Sequence, residues 1–341
     1  MSPNTLAGPD NRAAVVTTSP LLQVRGLSTH FVSASGTRVV RAVNEVSFSL
    51  NAGETLGIVG ESGSGKTTLA LSILRLLAPA ARIVSGEVLF EGEDLLKKSD
   101  TQMRRVRGKR IAMILQDPMA SLNPLFTIGD QVAEPMRVHE GLSRVGAWSR
   151  ARALLKAVRI SAPDTRVNEY PHQMSGGMRQ RIVGAIAISC EPALLIADEP
   201  TTSLDVTIQA QYLNLLRDLQ RAHHLALIFI THNLGIVAKM CDHVAVMYAG
   251  RIIESGAVKR IFNQPAHPYT EALLSSIPRL SDPASRLTAI DGQPPDLASP
   301  PSGCAFHPRC PKVMARCREE EPPAVTRADG QIARCWLTSA G

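Results

Sequence analysis

Residues 60–68 combine glycines, a lysine and hydroxyl side chains in the spacing G-x-x-x-x-G-K-[ST]. Glycine lets a loop turn tightly enough for successive backbone N–H groups to point at phosphate oxygens from a helix N-terminus. Lys66 adds a positive charge for the outer phosphates, and the Thr67 hydroxyl can complete a Mg²⁺ shell. We therefore predict a phosphate-binding loop made of Gly60, Ser62, Gly63, Ser64, Gly65, Lys66, Thr67 and Thr68.

Two acidic residues, Asp198 and Glu199, follow the apolar run at 194–197. In enzymes with a phosphate loop, the first acid at such a strand end reaches Mg²⁺, and the second can position an attacking water. We therefore interpret Asp198 as the carboxylate on the metal side. Glu199 is the candidate general base.

A second anion-binding pattern, Ser175-Gly176-Gly177, opens a segment of helical character. A second phosphate site in one chain is redundant unless it serves the nucleotide of another molecule. The pattern therefore predicts that this chain works together with a second one.

Four of the six cysteines, Cys304, Cys310, Cys317 and Cys335, lie in a Pro-rich C-terminal stretch with few apolar runs. Disulfides are rare in a reducing cytosol, and a structural Zn²⁺ site prefers closer C-x₂₋₄-C pairs. Four thiolates from loops can equally hold a 4Fe–4S cluster, which tolerates irregular spacing. Whichever metal is bound, we expect a structural role for it, because metal ligation can replace a missing hydrophobic core. Zn²⁺ and metal-free or regulatory thiols stay open as alternatives.

The elements around these motifs predict an α/β fold. Short apolar runs at 56–59, 111–115, 194–197, 227–230 and 244–248 indicate buried parallel strands separated by helices. Alternating apolar positions between 21 and 50 predict antiparallel strands. The phosphate loop should lead into a helix at 67–77, and the helical pattern from about 117 to 175 indicates a helical insertion.

Composition divides the chain into three parts: a disordered tail at 1–20, a nucleotide-binding domain at 21–264 and a small extension at 265–341. No stretch approaches the ~20 unbroken apolar residues of a membrane span. The N-terminus also lacks the basic region and apolar core of a secretory signal. We therefore expect the protein in the cytosol or on the cytosolic face of a membrane.

The net charge of +7 is a mild excess for 341 residues. Its densest patch, at 104–110, is interpreted as the solvated end of a helix in preference to a surface for lipid headgroups or nucleic acid. Few aromatic residues lie nearby to stack on bases. We therefore expect no nucleic-acid partner.

The order of these motifs resembles the ATP-binding cassette (ABC) family over about residues 21–270. The residues that carry the resemblance are the phosphate loop, Gln116 after a strand, Ser175-Gly176-Gly177, Asp198-Glu199, Ser203-Leu204-Asp205 and Thr231-His232. The resemblance implies a mostly parallel core sheet, an antiparallel β subdomain and a helical subdomain. It also implies ATP hydrolysis by two facing cassettes that sandwich two ATP molecules.

Further roles follow from the same resemblance. Gln116 senses the γ-phosphate and joins Thr67 and Asp198 around Mg²⁺. His232 contacts the γ-phosphate and holds the geometry of Glu199 and its water.

The resemblance also assigns residues at the dimer seam and at the adenine. Ser175 and Gly177, with Gly176 between them, contact the γ-phosphate bound by the partner's loop, and Asp205 lies at the seam. Phe31 aligns with the aromatic residue that stacks on adenine.

Within that family the chain resembles the D-type ATPase subunits of oligopeptide/dipeptide importers. This resemblance rests on residues 175–180, 197–207 and 264–270. The stretch 303–310 is similar to an extension that carries a 4Fe–4S cluster in some members, so the resemblance implies such a cluster on the four cysteines. Two positions depart from the commoner family pattern: Met178 stands in place of Gln, and Asn233 in place of Asp. Neither departure removes a catalytic group.

The resemblance implies an ATPase subunit that powers peptide import as a heterodimer with a sister ATPase. Its further partners would be two transmembrane permease subunits at the cytoplasmic face of the inner membrane and, indirectly, an extracytoplasmic substrate-binding protein. An importer for another small solute, such as a nickel chelate or glutathione, stays open. Two further alternatives are an ABC ATPase that acts outside transport and a regulatory protein with an inactive cassette.

Overall fold

The computed structural model describes residues 19–202, 204–277 and 290–338. Most of the predicted tail and Ser203 of the predicted seam motif lie outside the described residues.

Twelve strands lie in the described part of the chain. They are β1 (Leu22–Val32), β2 (Val39–Leu50), β3 (Thr55–Val59), β4 (Ala81–Phe90), β5 (Glu93–Asp94), β6 (Ile111–Ile114), β7 (Leu194–Asp198), β8 (Ala226–Ile230), β9 (His243–Tyr248), β10 (Arg251–Ala257), β11 (Val325–Thr326) and β12 (Ile332–Ala333).

The same residues hold twelve α-helices. They are α1 (Lys66–Ile73), α2 (Asp100–Val106), α3 (Pro118–Ser121), α4 (Ile128–Glu140), α5 (Arg144–Ala157), α6 (Pro163–Arg166), α7 (Gly176–Ile188), α8 (Val206–His223), α9 (Leu234–Met240), α10 (Val258–Asn263), α11 (Pro268–Ser275) and α12 (Arg316–Glu319).

Two sheets organise the fold. The larger sheet has the order β11-β12-β10-β9-β3-β8-β7-β6, and its central strands β9, β3, β8, β7 and β6 are parallel neighbours. The smaller sheet, β2-β1-β4-β5, is antiparallel throughout. Helices α3 to α6 fill the segment between β6 and α7. The predicted parallel core, antiparallel subdomain and helical insertion are therefore confirmed.

The helix after the phosphate loop ends earlier than its apolar run predicts. Helix α1 stops at Ile73, and Arg75 adopts a left-handed φ of +53°. The guanidinium of Arg107 donates to the carbonyls of Leu74 (2.8 Å) and Arg75 (2.9 Å). One arginine of the basic patch therefore caps the C-terminus of α1, where unpaired carbonyls need donors.

The described residues of the C-terminal segment, 265–277 and 290–338, join the main sheet and its core. Strand β12 pairs antiparallel with β10. Tyr269 and Phe306 pack in one buried cluster with Val59 of β3 and Tyr248 of β9. The domain boundary that composition predicts at residue 264 stays a prediction. The residues before and after it share one sheet and one core. The segment folds with few apolar runs because its apolar residues pack against a core that β3 and β9 already form.

Candidate active site

The phosphate loop connects β3 to α1 and passes under two neighbouring backbones. Gly60 and Gly65 have φ values of +152° and +102°. A Cβ at Gly60 would lie 2.2 Å from the carbonyl oxygen of Met247, and one at Gly65 would lie 2.1 Å from that of Ala42. Only glycine fits these two positions, because any side chain would collide with backbone.

Lys66 is held inside the loop. Its Nζ donates to the carbonyl oxygens of Gly60 (2.8 Å) and Glu61 (2.9 Å) and to Ser64 Oγ (3.3 Å). Burial lowers the pKa of Lys66, while the carboxylates of Glu199, Asp198 and Glu61 act in the opposite direction. The ammonium group is therefore a partly desolvated donor, and such a group binds anions more strongly than one in bulk water.

The loop opens into a cleft of ≈520 Å³ at the carboxyl ends of β3 and β7. This cleft brings together most of the predicted nucleotide residues, although they come from five separate parts of the chain. Its lining residues are Ala42, Ser62, Gly63, Gly65, Lys66, Thr67, Thr68, Gln116, Asp198, Glu199 and His232.

Asp198 ends β7 and is buried. Its pKa is raised chiefly by burial, although the Thr67 hydroxyl bonds to the carboxylate and acts to lower it. Within the described residues its Oδ1 has no hydrogen-bond partner. A buried carboxylate oxygen without a partner beside a threonine hydroxyl is the oxygen set that Mg²⁺ prefers, so the residues present fit that ion.

Glu199 has a left-handed backbone with φ of +48°, and its N–H donates to the Ile230 carbonyl (2.9 Å). Its carboxylate lies 2.8 Å from His232 Nδ1 and accepts from the Thr202 hydroxyl at 2.7 Å. Non-glycine residues in this conformation are strained, and such strain often occurs at functional sites. Both carboxylate oxygens are therefore oriented by side chains before any substrate arrives.

The departure at Asn233 has a structural explanation. Asn233 is the N-cap of α9, and its Oδ1 accepts from the backbone of Gly235 (2.9 Å) and Ile236 (3.3 Å). Asparagine caps a helix about as well as aspartate. The backbone that follows His232 is therefore fixed without the acid that is commoner at this position.

A second cleft of ≈590 Å³ lies at the N-terminus of α7 and shares no lining residue with the first. Ser175 is the N-cap of α7, and Asp205 is the N-cap of α8. The exposed backbone N–H groups at such a helix end attract anions. The cleft is lined by Arg159, Ser161, Ser175, Gly176, Gly177, Met178, Arg181, Leu204, Asp205 and Ile208.

Some predicted residues do not line the first cleft. Gly60 and Ser64 belong to the loop but do not line the cleft, and the Gly60 carbonyl and the Ser64 hydroxyl accept hydrogen bonds from Lys66 Nζ. Phe31 is half-buried in β1, paired with Val40 and Ala81 across the smaller sheet, and its contact with adenine stays a prediction. Sequence reasoning missed Thr202, although a hydroxyl three residues after a candidate base could have suggested it.

The predicted iron–sulfur cluster is wrong. Cys304, Cys310, Cys317 and Cys335 do line one cavity, but it measures only ≈10 Å³, about the room of one water molecule. Burial raises the pKa of Cys304 to about 11 and also raises the pKa of Cys310 and Cys335, whereas metal ligation needs thiolates. No group of three or more His, Cys, Asp or Glu residues in the described ranges could hold a metal ion, which removes the zinc alternative as well.

A phosphate loop with a buried lysine, an acid pair at the end of a neighbouring strand and an oriented glutamate defines a P-loop nucleoside triphosphatase. The cleft places a lysine, hydroxyl groups and three carboxylate or amide side chains around one space, which is a donor set that fits phosphates and Mg²⁺.

Comparison with known proteins narrows this class. The family model described as ABC transporter matches residues 43–202, and the model for the oligopeptide/dipeptide transporter C-terminal region matches residues 253–317. The probable peptide ABC transporter ATP-binding protein y4tR of Sinorhizobium fredii is 52% identical over 94% of this chain and 95% of its own length. The dipeptide transport ATP-binding protein DppD of Bacillus subtilis is 51% identical over 93% of this chain and 94% of its own.

A solved structure agrees on the fold. That of cbiO1 from Clostridium perfringens, part of the ABC transporter complex cbiONQ, is 27% identical with a TM-score of 0.62 and covers 72% of this chain and 92% of that one. The chain therefore belongs to the ATP-binding proteins of ABC transporters and is an ABC-type ATPase with the oligopeptide/dipeptide C-terminal region. Across its described residues, no helix has the length and apolar character needed to cross a membrane.

Proposed function

We propose that this chain hydrolyses ATP to power the import of peptides of the dipeptide/oligopeptide class. The observation that carries the peptide assignment is the match of residues 253–317 to the oligopeptide/dipeptide transporter C-terminal region. Identities of 52% and 51% to ATP-binding proteins named for peptide and dipeptide transport support it.

In the proposed reaction the phosphate loop and Lys66 bind the β- and γ-phosphates of ATP. Thr67, Gln116 and Asp198 would hold Mg²⁺, which neutralises phosphate charge. Glu199 orients the attacking water and takes its proton, while His232 and Thr202 keep the carboxylate aimed. The orphaned Oδ1 of Asp198 and the two bonds to Glu199 support these roles.

The second cleft would serve the nucleotide of a facing cassette. Ser175, Gly176 and Gly177 offer helix N–H groups to a γ-phosphate, and Asp205 lies beside them. Two clefts with no shared residue fit an arrangement in which each chain lends its helix end to the other's phosphate loop. We propose a sister ATPase as that facing chain, which makes the assembly a heterodimer.

The helical segment after Gln116 would receive the cytosolic part of two permease subunits. It presents Leu125, 81% exposed, and Phe126, 54% exposed, beside a groove lined by residues of α4 and Arg144. Exposed apolar residues next to a groove are typical of protein contacts. The chain would thus sit on the cytoplasmic face of the inner membrane, with a substrate-binding protein acting from the other side.

Uptake of labelled peptides by cells tests the proposal. Cells that carry Glu199→Gln in this chain should lose uptake of a labelled dipeptide and tetrapeptide. A chain with Lys312→Gln, an exposed position that does not line the cleft, should support normal uptake. Unchanged peptide uptake with loss of nickel-chelate or glutathione uptake would overturn the peptide assignment and leave the ATPase assignment standing.

A further inference from the structure

Glu61, a variable position of the phosphate loop, is bound by an arginine of the C-terminal segment. The Arg309 guanidinium donates hydrogen bonds from Nη1 to Glu61 Oε2 (2.7 Å) and from Nη2 to Glu61 Oε1 (3.0 Å). The two side chains are 4% and 26% exposed. A bidentate pair of this kind is short, directional and well shielded from solvent, unlike the exposed ion pairs elsewhere on the chain.

Tyr269 of the same segment holds the backbone of Glu61. Its buried hydroxyl oxygen accepts from the Glu61 N–H at 2.9 Å. His267 caps α11 by accepting from the Tyr269 N–H at 3.0 Å, and burial lowers the pKa of His267 to about 3, so its ring stays a neutral acceptor. The motif His267-Pro268-Tyr269 therefore starts a helix so that its tyrosine reaches the phosphate loop.

The backbone carbonyl of Glu61 contacts the phosphate-binding lysine. The carbonyl oxygen accepts from Lys66 Nζ at 2.9 Å. The C-terminal segment thus fixes the carboxylate and the N–H of one residue, whose carbonyl in turn holds the phosphate-binding lysine.

The arginine itself has a fixed position. Its guanidinium also donates to the carbonyls of Asp291 (2.8 Å) and Ile290 (3.2 Å) and packs on the rings of Tyr248 and Phe306. Those two rings and that of Tyr269 form a mutually packed group with centroid distances of 4.5 to 5.3 Å. Because these contacts hold Arg309 in place, its ion pair with Glu61 restrains the loop.

We propose that Arg309 and Tyr269 are positioning residues for ATP binding, which set the phosphate loop through Glu61 and keep Lys66 in place. This inference rests on the proposed use of the loop for ATP. A restrained loop gives up less conformational freedom when ATP binds. The ordered loop contacts the phosphates in both the ground state and the transition state. Loss of the restraint should therefore weaken ATP binding more than it lowers turnover.

The test compares four variants in the full-length chain, with Kd for MgATP measured on the chain and KM and kcat on the assembled transporter. Arg309→Gln should raise Kd and KM about tenfold while kcat changes less than about threefold. Arg309→Lys should lie in between, because a lysine ammonium cannot make the bidentate contact. Tyr269→Phe, which removes only a hydroxyl, should raise Kd about threefold. The matched control is Lys312→Gln, which breaks the exposed pair with Glu271 in the same segment and should leave Kd unchanged.

A double-mutant cycle separates positioning from general destabilisation. Glu61→Gln combined with Arg309→Gln should raise Kd no more than either change alone, because both remove one interaction. A Kd within twofold of wild type for Arg309→Gln, fully additive effects in the cycle, or an equal effect of Lys312→Gln would overturn the inference. If Arg309→Gln fails to fold, Arg309→Lys and Tyr269→Phe carry the same test. Absence of ATP hydrolysis by the wild-type transporter would instead refute the proposed function.

Discussion

Replacing Asp198 with asparagine should stabilise the nucleotide-free chain and remove its response to MgATP. The carboxylate is buried, its pKa is raised chiefly by that burial, and its Oδ1 has no hydrogen-bond partner in the described ranges. Asparagine keeps an acceptor for the Thr67 hydroxyl and carries no charge that burial would penalise.

The expected gain is on the order of 1 kcal/mol in the free energy of unfolding. The amide removes the charge that burial penalises, but its Nδ2 takes the place of the partnerless Oδ1, and Lys66 loses one of the three carboxylates that support its charge, so both effects offset part of the gain. The sign with pH follows from the raised pKa: the ionised carboxylate destabilises the folded state above that pKa. The difference between variant and wild type should therefore shrink as the pH falls towards the ordinary value of 3.8.

Denaturant unfolding with EDTA, and again with MgATP, gives both readings on the same samples. At one hundred times Kd a ligand adds about 2.7 kcal/mol of stability, which the wild type should gain and Asp198→Asn should lose. An Asp198→Asn chain that is less stable than wild type in EDTA would mean that the Lys66–Asp198 attraction outweighs burial. A variant that MgATP still stabilises fully would refute the metal assignment.

Three further outcomes are expected. Glu199→Gln should bind ATP normally but lower phosphate release by about 10²–10⁴-fold, and unchanged turnover would exclude Glu199 as the base. Gly65→Ala should lower the free energy of unfolding by about 2 kcal/mol or more, because its Cβ would meet the Ala42 carbonyl. Gly63→Ala, whose Cβ points into open space, should lower it by only about 1 kcal/mol. Equal losses for the two variants would contradict the steric argument. Asn233→Ala should cost about 1 kcal/mol of stability while Asn233→Asp costs little, and an equal loss for both would exclude the cap as the cause.

The sequence predicts the parts of the site that local patterns encode. Glycine spacing determines the phosphate loop, and an apolar run that ends in acids fixes the end of β7, so Lys66 and Asp198 follow from short stretches. The Arg309–Glu61 pair spans 248 positions and has no local signature, since its geometry depends on strands that meet only in the folded sheet. The early end of α1 is of the same kind, because its cap, Arg107, lies 33 positions away.

The cysteine prediction went wrong for a related reason. The number of cysteines and the resemblance suggested four metal-binding thiolates, but neither of them reports burial. In the folded chain Cys304 packs against the apolar cluster that contains Phe306 and Tyr269, and this burial raises the pKa of its thiol. Composition predicts that a metal stabilises the C-terminal segment, but in the structure the core of the main domain stabilises it.

The central claim is that each phosphate loop is only half of a catalytic site and needs a Ser-Gly-Gly helix end from a facing cassette. ATP turnover per chain, measured over a wide range of protein concentration and in the assembled transporter, tests it most directly. The isolated, diluted chain should bind ATP yet show turnover per chain that falls towards zero, and assembly should restore it. Turnover per chain that is independent of concentration in a monomeric sample, at the rate of the assembled transporter, would contradict the account.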